Sequence, residues 1–163
     1  MFDTLTLLAC LIGNDPGHST QLTMKPPFLE KENKIICVQR TQSPQFQWKD
    51  VPPEASSLAF IIKDANTFTT MNKQKYYWVV YNLPVQTTQL PYGANVHMSP
   101  YDEGVNSWGE KNYHSICADN TEYPVIVELY ALDKRFSATT PMTGEVLEQK
   151  IKGHVLAKTI VWE

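Results

Sequence analysis

Two side chains in one polar loop are the most reactive candidates in this sequence. His114 and Cys117 stand three apart, a spacing at which an imidazole and a thiolate can share a metal ion. The same imidazole can instead take the thiol proton and leave a nucleophile. A metal needs further ligands, and no second His/Cys pair lies nearby in the chain. A nucleophilic thiol needs partners close in space rather than in sequence. A hydrolase using Cys117 and His114, with Asp64 from a distant segment, therefore stands as the alternative function. Asp64 and Asn66 close an apolar run and can either hold a polar ligand or stabilise a turn. The chain has no Gly-x-Ser-x-Gly elbow, HExxH, phosphate-cradling glycine loop or dinucleotide fingerprint. The balance favours a binding module over an enzyme, and no cofactor is implied.

The elements that position these groups are strands. Tyr76-Tyr77-Trp78-Val79-Val80-Tyr81-Asn82-Leu83 is aromatic and β-branched, carries no charge and is closed by Pro84. With period two, Tyr77, Val79, Tyr81 and Leu83 share one face, and Trp78, Val80 and Asn82 the other. Both faces are largely apolar, which predicts a central strand covered on both sides. Leu58-Ala59-Phe60-Ile61-Ile62 and Val125 to Leu132 read as further buried strands. Phe46 and Trp48 alternate inward in a shorter one. Gln21 to Phe28, broken by Pro26-Pro27, is at most an edge strand, and Ile35 to Val38 is another short strand. Thr143 caps the one clear helix, Leu147 and Ile151 form its buried stripe, and Gly153 ends it. His154, just past that helix, caps or packs there, and a last strand runs to Val161. The segment from Ala94 to Glu122 is long and irregular, as functional loops are. The pattern predicts an antiparallel β-sandwich with one or two short helices, in a single domain spanning residues 1–163.

Composition narrows the function. The chain has 163 residues, 42% hydrophobic and 19% charged, with a net charge of -3. No basic run exceeds two residues, so the electrostatic footprint of a nucleic-acid binder is missing. The apolar run Leu5 to Gly13 is too short to span a bilayer. Leu7-Leu8-Ala9-Cys10 has the form of a lipoprotein box, but Asp3 precedes it and no Lys or Arg does. The expectation is a first strand over Thr4 to Ile12 and a cytoplasmic protein. The alternative is a periplasmic protein or a lipoprotein anchored through Cys10. Cys10, Cys37 and Cys117 show no zinc spacing and suit buried thiols.

Six stretches in order carry a resemblance. They are Ser43-Pro44 to Trp48, Val51-Pro52, Trp78-Val79-Val80-Tyr81-Asn82-Leu83-Pro84, Gly104-Val105-Asn106-Ser107-Trp108-Gly109, Leu129-Tyr130-Ala131-Leu132-Asp133 and Gly153-His154-Val155-Leu156-Ala157. Together they resemble the phosphatidylethanolamine-binding protein family, in its bacterial Raf-kinase-inhibitor-like branch. The resemblance implies a β-sandwich with a small anion pocket for phosphate-like head groups. It implies a small polar or phosphorylated ligand, or a protein partner, and allows a homodimer.

Within that resemblance the pocket positions depart from the family. Its Asp-Pro-Asp motif falls on Asp64-Ala65-Asn66, so one carboxylate is replaced. Its histidine before the central tryptophan falls on Tyr77, and a second pocket histidine on Tyr123. Tyr113 keeps a loop tyrosine, while the family's Gly-Pro falls on Ser115-Ile116. A phenol is a neutral single donor near neutral pH, whereas an imidazole can carry charge. Hydrogen bonds to charged groups contribute about 1.5–3 kcal/mol against ~0.5–1.5 for neutral ones. Two such exchanges cost an anionic ligand roughly 2 kcal/mol, about thirtyfold in affinity. The expected ligand set is thus Asp64, Asn66, Tyr77, Tyr113, Ser115 and Tyr123, with anion binding weakened or lost; Tyr77 and Tyr123 can equally be packing aromatics that fill the old pocket.

Overall fold

The structure is a computed structural model that describes residues 21–25, 42–65, 74–96, 100–116, 125–137 and 141–162. Among these, two antiparallel sheets form a sandwich. The smaller is built from β1 (Thr23–Lys25), β2 (Phe46–Lys49) and β5 (Gln89–Leu90), in the order β1-β2-β5. The larger holds β3 (Ser57–Asp64), β4 (Tyr76–Leu83), β6 (Asp102–Glu103), β7 (Val125–Leu132) and β8 (Val155–Trp162), in the order β6-β4-β3-β7-β8. The helix α1 (Gly144–Ile151) joins β7 to β8, and a short 3-10 turn covers Ala94–Val96. The sequence reading of a sandwich with short helices holds. The expected strands at Thr4 to Ile12 and Ile35 to Val38 lie outside the described residues.

Every residue of β4 and β7 is buried: β4 is a charge-free β-branched and aromatic run, and β7 is one interrupted only by Glu128. One face of the larger sheet meets the smaller sheet. There Phe60, Ile62, Trp78, Val80, Val127 and Leu129 pack with Phe46, Trp48 and Leu90. The opposite face carries Ala59, Ile61, Val79, Tyr81 and Leu132, and is covered by Leu147 and Ile151 of α1 with Phe136 and Met142. Thr143 caps α1 by accepting from the Val146 N–H at 3.3 Å, and Gly153, at φ 80°, ends it.

Strict alternation in β4 fails at its two ends, and this corrects the face assignment of Tyr77, Asn82 and Leu83: Asn82 bonds Phe136 in the helix-side layer rather than joining Trp78 and Val80. Ile62 pairs with Trp78 and Lys63 with Tyr76, which leaves Tyr77 as an extra, bulged residue. Tyr77 therefore turns to the same side as Trp78. A second shift lies between the Phe60–Val80 and Leu58–Leu83 pairs. It contains Asn82, at φ 56°, in the left-handed region that asparagine tolerates better than most residues. Leu83 thereby rejoins the sandwich interior. A period-two reading cannot anticipate an inserted residue.

Close backbone approaches fix the layer outside β4. A Cβ on Gly104 would lie 2.3 Å from the Met142 carbonyl and 2.6 Å from Val79 Cγ1, and one on Gly144 would lie 2.0 Å from the Tyr76 ring. The two chain segments run side by side, with a parallel bridge between Val105 and Thr143 and the Val105 N–H on Met142 O at 2.7 Å.

Asn82 ties β4 to the segment after β7. Its Nδ2 donates to Asp102 Oδ2 at 2.6 Å and to Phe136 O at 2.8 Å, and its Oδ1 accepts from Phe136 N at 2.9 Å. Asn82→Ala is expected to lower unfolding free energy by about 3 kcal/mol, combining lost buried bonds with a strained φ. Asn82→Gly, which removes only the side chain's bonds, should cost about 2 kcal/mol. Urea denaturation of both checks this, and equal, near-zero losses would contradict the tie.

Candidate functional site

Asp64 ends β3, and the bulge in β4 swings Tyr77 across to it. The Tyr77 hydroxyl donates to Asp64 Oδ1 at 2.9 Å. Burial first, and then this carboxylate, push the Tyr77 phenol well above its ordinary range, so it stays a neutral donor. The Tyr77 carbonyl accepts the His114 N–H at 2.8 Å and so anchors the long loop. Gln74 Nε2 donates to the Asp64 carbonyl at 2.7 Å, closing the same corner.

Aromatic rings fill the space beside this pair. The His114 imidazole stacks on Trp108 at 3.6 Å between centroids and 10° between planes. Trp108 also meets Tyr77 at 5.3 Å and 42°. Tyr113 stands edge-on to Trp78 at 5.8 Å, and its hydroxyl accepts the Ile116 N–H at 3.4 Å. Ser115 is half-buried between them in sequence. Trp78, fully buried, donates its indole N–H to Glu103 Oε1 at 2.9 Å. Burial raises the Glu103 carboxyl above its ordinary range, and the indole N–H offsets part of that.

A cleft opens next to this cluster. It holds about 370 Å³ and is lined by the start of β4, the turn through Ser107 and Trp108, and the first turn of α1. Its wall is stitched by Tyr76 N donating to Ser107 Oγ at 2.8 Å and Ser107 N donating to Tyr76 O at 3.0 Å.

On the far face of the sheet, Lys63 lies 3.0 Å from Glu128 and also pairs with Glu148 of α1. Lys158 reaches Glu128 at 2.8 Å, Tyr130 donates to Glu128 at 2.7 Å, and Tyr76 donates to Glu148 at 2.6 Å. Burial alone would depress the Lys63 ammonium, but the two carboxylates more than offset it and hold its pKa above the ordinary value. Burial likewise opposes the Glu128 carboxylate, and Lys158, Tyr130 and Lys63 outweigh it to lower its pKa. The network fastens α1 to the sheet through paired charges, and the sequence reading missed it. Its signal was Glu128 inside the otherwise apolar run of β7.

The profile described as phosphatidylethanolamine-binding protein matches residues 23–162. The chain belongs to the phosphatidylethanolamine-binding protein family. A UPF0098 protein of Chlamydia muridarum is 31% identical over 126 residues, covering 76% of this chain and 82% of that one. A UPF0098 protein of Methanothermobacter thermautotrophicus is 27% identical over 77% of this chain and 83% of its own. Among solved structures, a phosphatidylethanolamine-binding protein homolog from Chlamydia trachomatis, CT736, superposes with a TM-score of 0.65 at 28% identity, covering 74% of this chain and 78% of that one. YbcL of E. coli, described as a member of the mammalian PEBP family, shares the fold, with a TM-score of 0.70 at 18% identity over 87% and 94% of the two chains.

Of the residues that the resemblance singles out, Asp64 and Tyr77 are in direct contact, and the loop carrying Tyr113 and Ser115 is anchored on Tyr77. Asn66 and Tyr123 lie outside the described residues, as does Cys117 of the hydrolase alternative. The His154 imidazole lies 2.9 Å from Asp133 and edge-on to Phe136, so it packs beside the helix end as expected. The sequence offers His114 for metal or acid–base work, whereas in the fold it stacks on Trp108. An aromatic flanked by Asn, Ser and Gly in a polar loop was the available signal.

The buried phenols give a pH prediction. Tyr76, Tyr77 and Tyr130 have folded pKa values raised above 10.0, with burial as the leading cause. Their contribution to stability is complete below pH 10 and is lost as pH climbs from there through the folded values, because only the unfolded chain ionises early. Phenolate absorbance should show these tyrosines titrating only as the protein unfolds. Ordinary titration of all tyrosines in folded protein would refute the burial argument. Lys63→Met leaves Glu128 and Glu148 facing each other beneath α1, and should cost about 3–5 kcal/mol in urea denaturation.

Proposed function

We propose that this chain is a phosphatidylethanolamine-binding-type binding module, working as one domain, in which the family's anion pocket is internally satisfied. The observation that carries the reading is the 2.9 Å hydrogen bond from Tyr77 to Asp64. At the position where the resemblance places an imidazole, the donor is spent on the protein's own carboxylate. A phosphate arriving there would have to break that bond and then face Asp64, with a neutral phenol as its reward. Phosphate and phospholipid head groups are therefore weak ligands or none. Asp64, Asn66, Tyr77, Tyr113, Ser115 and Tyr123 are retained as the residues of the altered pocket, which takes a small polar ligand or supports a surface for a protein partner.

Calorimetry with inorganic phosphate and phosphoethanolamine tests the reading. Wild-type protein should show weak or undetectable binding. Tyr77→His, Tyr123→His and Asn66→Asp combined should restore it, with a gain of about thirtyfold or more. Asp64→Ala in that background should remove it again, because beside restored imidazoles the carboxylate no longer opposes the anion but orients them and keeps them charged. Tight phosphate binding by the wild type would overturn the proposal.

A further inference from the structure

The cleft beside Trp108 has features that the phosphate question leaves unused. Its volume of about 370 Å³ lies at the small end of the range for small-ligand sites, roughly 300–1,000 Å³. Trp108 borders it and is 41% exposed, a large apolar surface left in water. Yet this indole is held in place. His114 covers it in a parallel stack at 3.6 Å, and Asn106 Oδ1 accepts the Trp108 backbone N–H at 2.9 Å. A ring stacked on one side has part of its side-chain freedom already restricted, which lowers what a ligand has to remove.

The polar groups around the cleft select the kind of ligand. Lys75 and Glu145 are both exposed and line it, one of each sign. An anion is opposed by Glu145 and a cation by Lys75. Gln74 spends its Nε2 on the Asp64 carbonyl, while among the described residues its Oε1 lies 3.4 Å from a Tyr76 hydroxyl whose proton goes to Glu148, and so retains acceptor capacity. A neutral hydroxyl suits all three, since it donates to a carboxylate or amide oxygen and accepts from an ammonium. The part of the indole that His114 and Tyr77 leave exposed adds an apolar surface that fits the C–H side of a ring.

We propose that this cleft binds a neutral saccharide ring, stacked on Trp108 with its hydroxyls shared among Lys75, Glu145 and Gln74. This site is distinct from the Asp64–Tyr77 pair and does not depend on whether that pair has lost phosphate.

The full chain is screened on an array of neutral mono- and oligosaccharides, and the strongest responders are titrated by calorimetry. At least one neutral saccharide should bind saturably, with a Kd between about 10 μM and 10 mM. Trp108→Ala should weaken it at least about tenfold, and Glu145→Gln about threefold, with circular dichroism confirming that both variants fold. Inorganic phosphate titrated into the same protein addresses the other site, so the two readings fail separately. Absence of saturable binding across the array would overturn the proposal. So would binding that survives Trp108→Ala unchanged, or a cleft that takes a zwitterion such as L-phenylalanine in place of any sugar.

Discussion

A strand with no face for solvent has to be covered twice, and the architecture follows from that requirement in β4. One cover is the smaller sheet, which meets Trp78 and Val80. The other is α1 with Phe136 and Met142, which meet Val79 and Tyr81. Burial of large apolar side chains supplies roughly 1.5–3 kcal/mol each, so neither cover can be given up cheaply. The Trp78 indole meets its one polar demand at Glu103, on the neighbouring strand β6. The ion pairs of Lys63 and Glu148 then hold the second cover in register with the sheet.

The bulge at Tyr77 converts this packing rule into a site. In regular alternation Tyr77 would join the helix-side face, far from the loop it now holds. The extra residue brings its hydroxyl to Asp64 and frees its carbonyl for His114. One irregularity thus links the end of β3, the start of β4 and the loop carrying Tyr113 and Ser115. A phenol reaches farther than an imidazole, and here that reach ends on the protein itself.

The long strands were legible in the sequence because their β-branched and aromatic runs are bounded by proline or polar turns, whereas the two-residue strands β5 and β6, the latter inside the segment read as irregular, carry no such run. The helix was legible from Thr143, Leu147, Ile151 and Gly153. Tyr77 was legible as a residue of the central strand, but not its orientation, since an inserted residue leaves the composition of a strand unchanged. The tie through Asn82 was hidden for the same reason. The pairing of Lys63 with Glu128 and Glu148 joins three distant segments, and no local pattern encodes such a meeting. Trp108 read as a loop aromatic, and only the fold brings His114 against it.

The seam where Gly104 and Val105 run beside Met142 and Thr143 has a further consequence for dynamics. It is closed by one parallel bridge and one backbone hydrogen bond, and of its four residues only Met142 buries a large side chain. Segments of this kind open locally at a lower cost than the core around them. The cleft exists only while the seam is closed, because the turn bearing Trp108 leaves from one side of it and α1 from the other. Hydrogen exchange at the Val105 amide, which is bonded to Met142 O, is then a direct gauge of how often the cleft is intact. The β3 and β7 amides alongside should exchange only through openings on the scale of the whole domain.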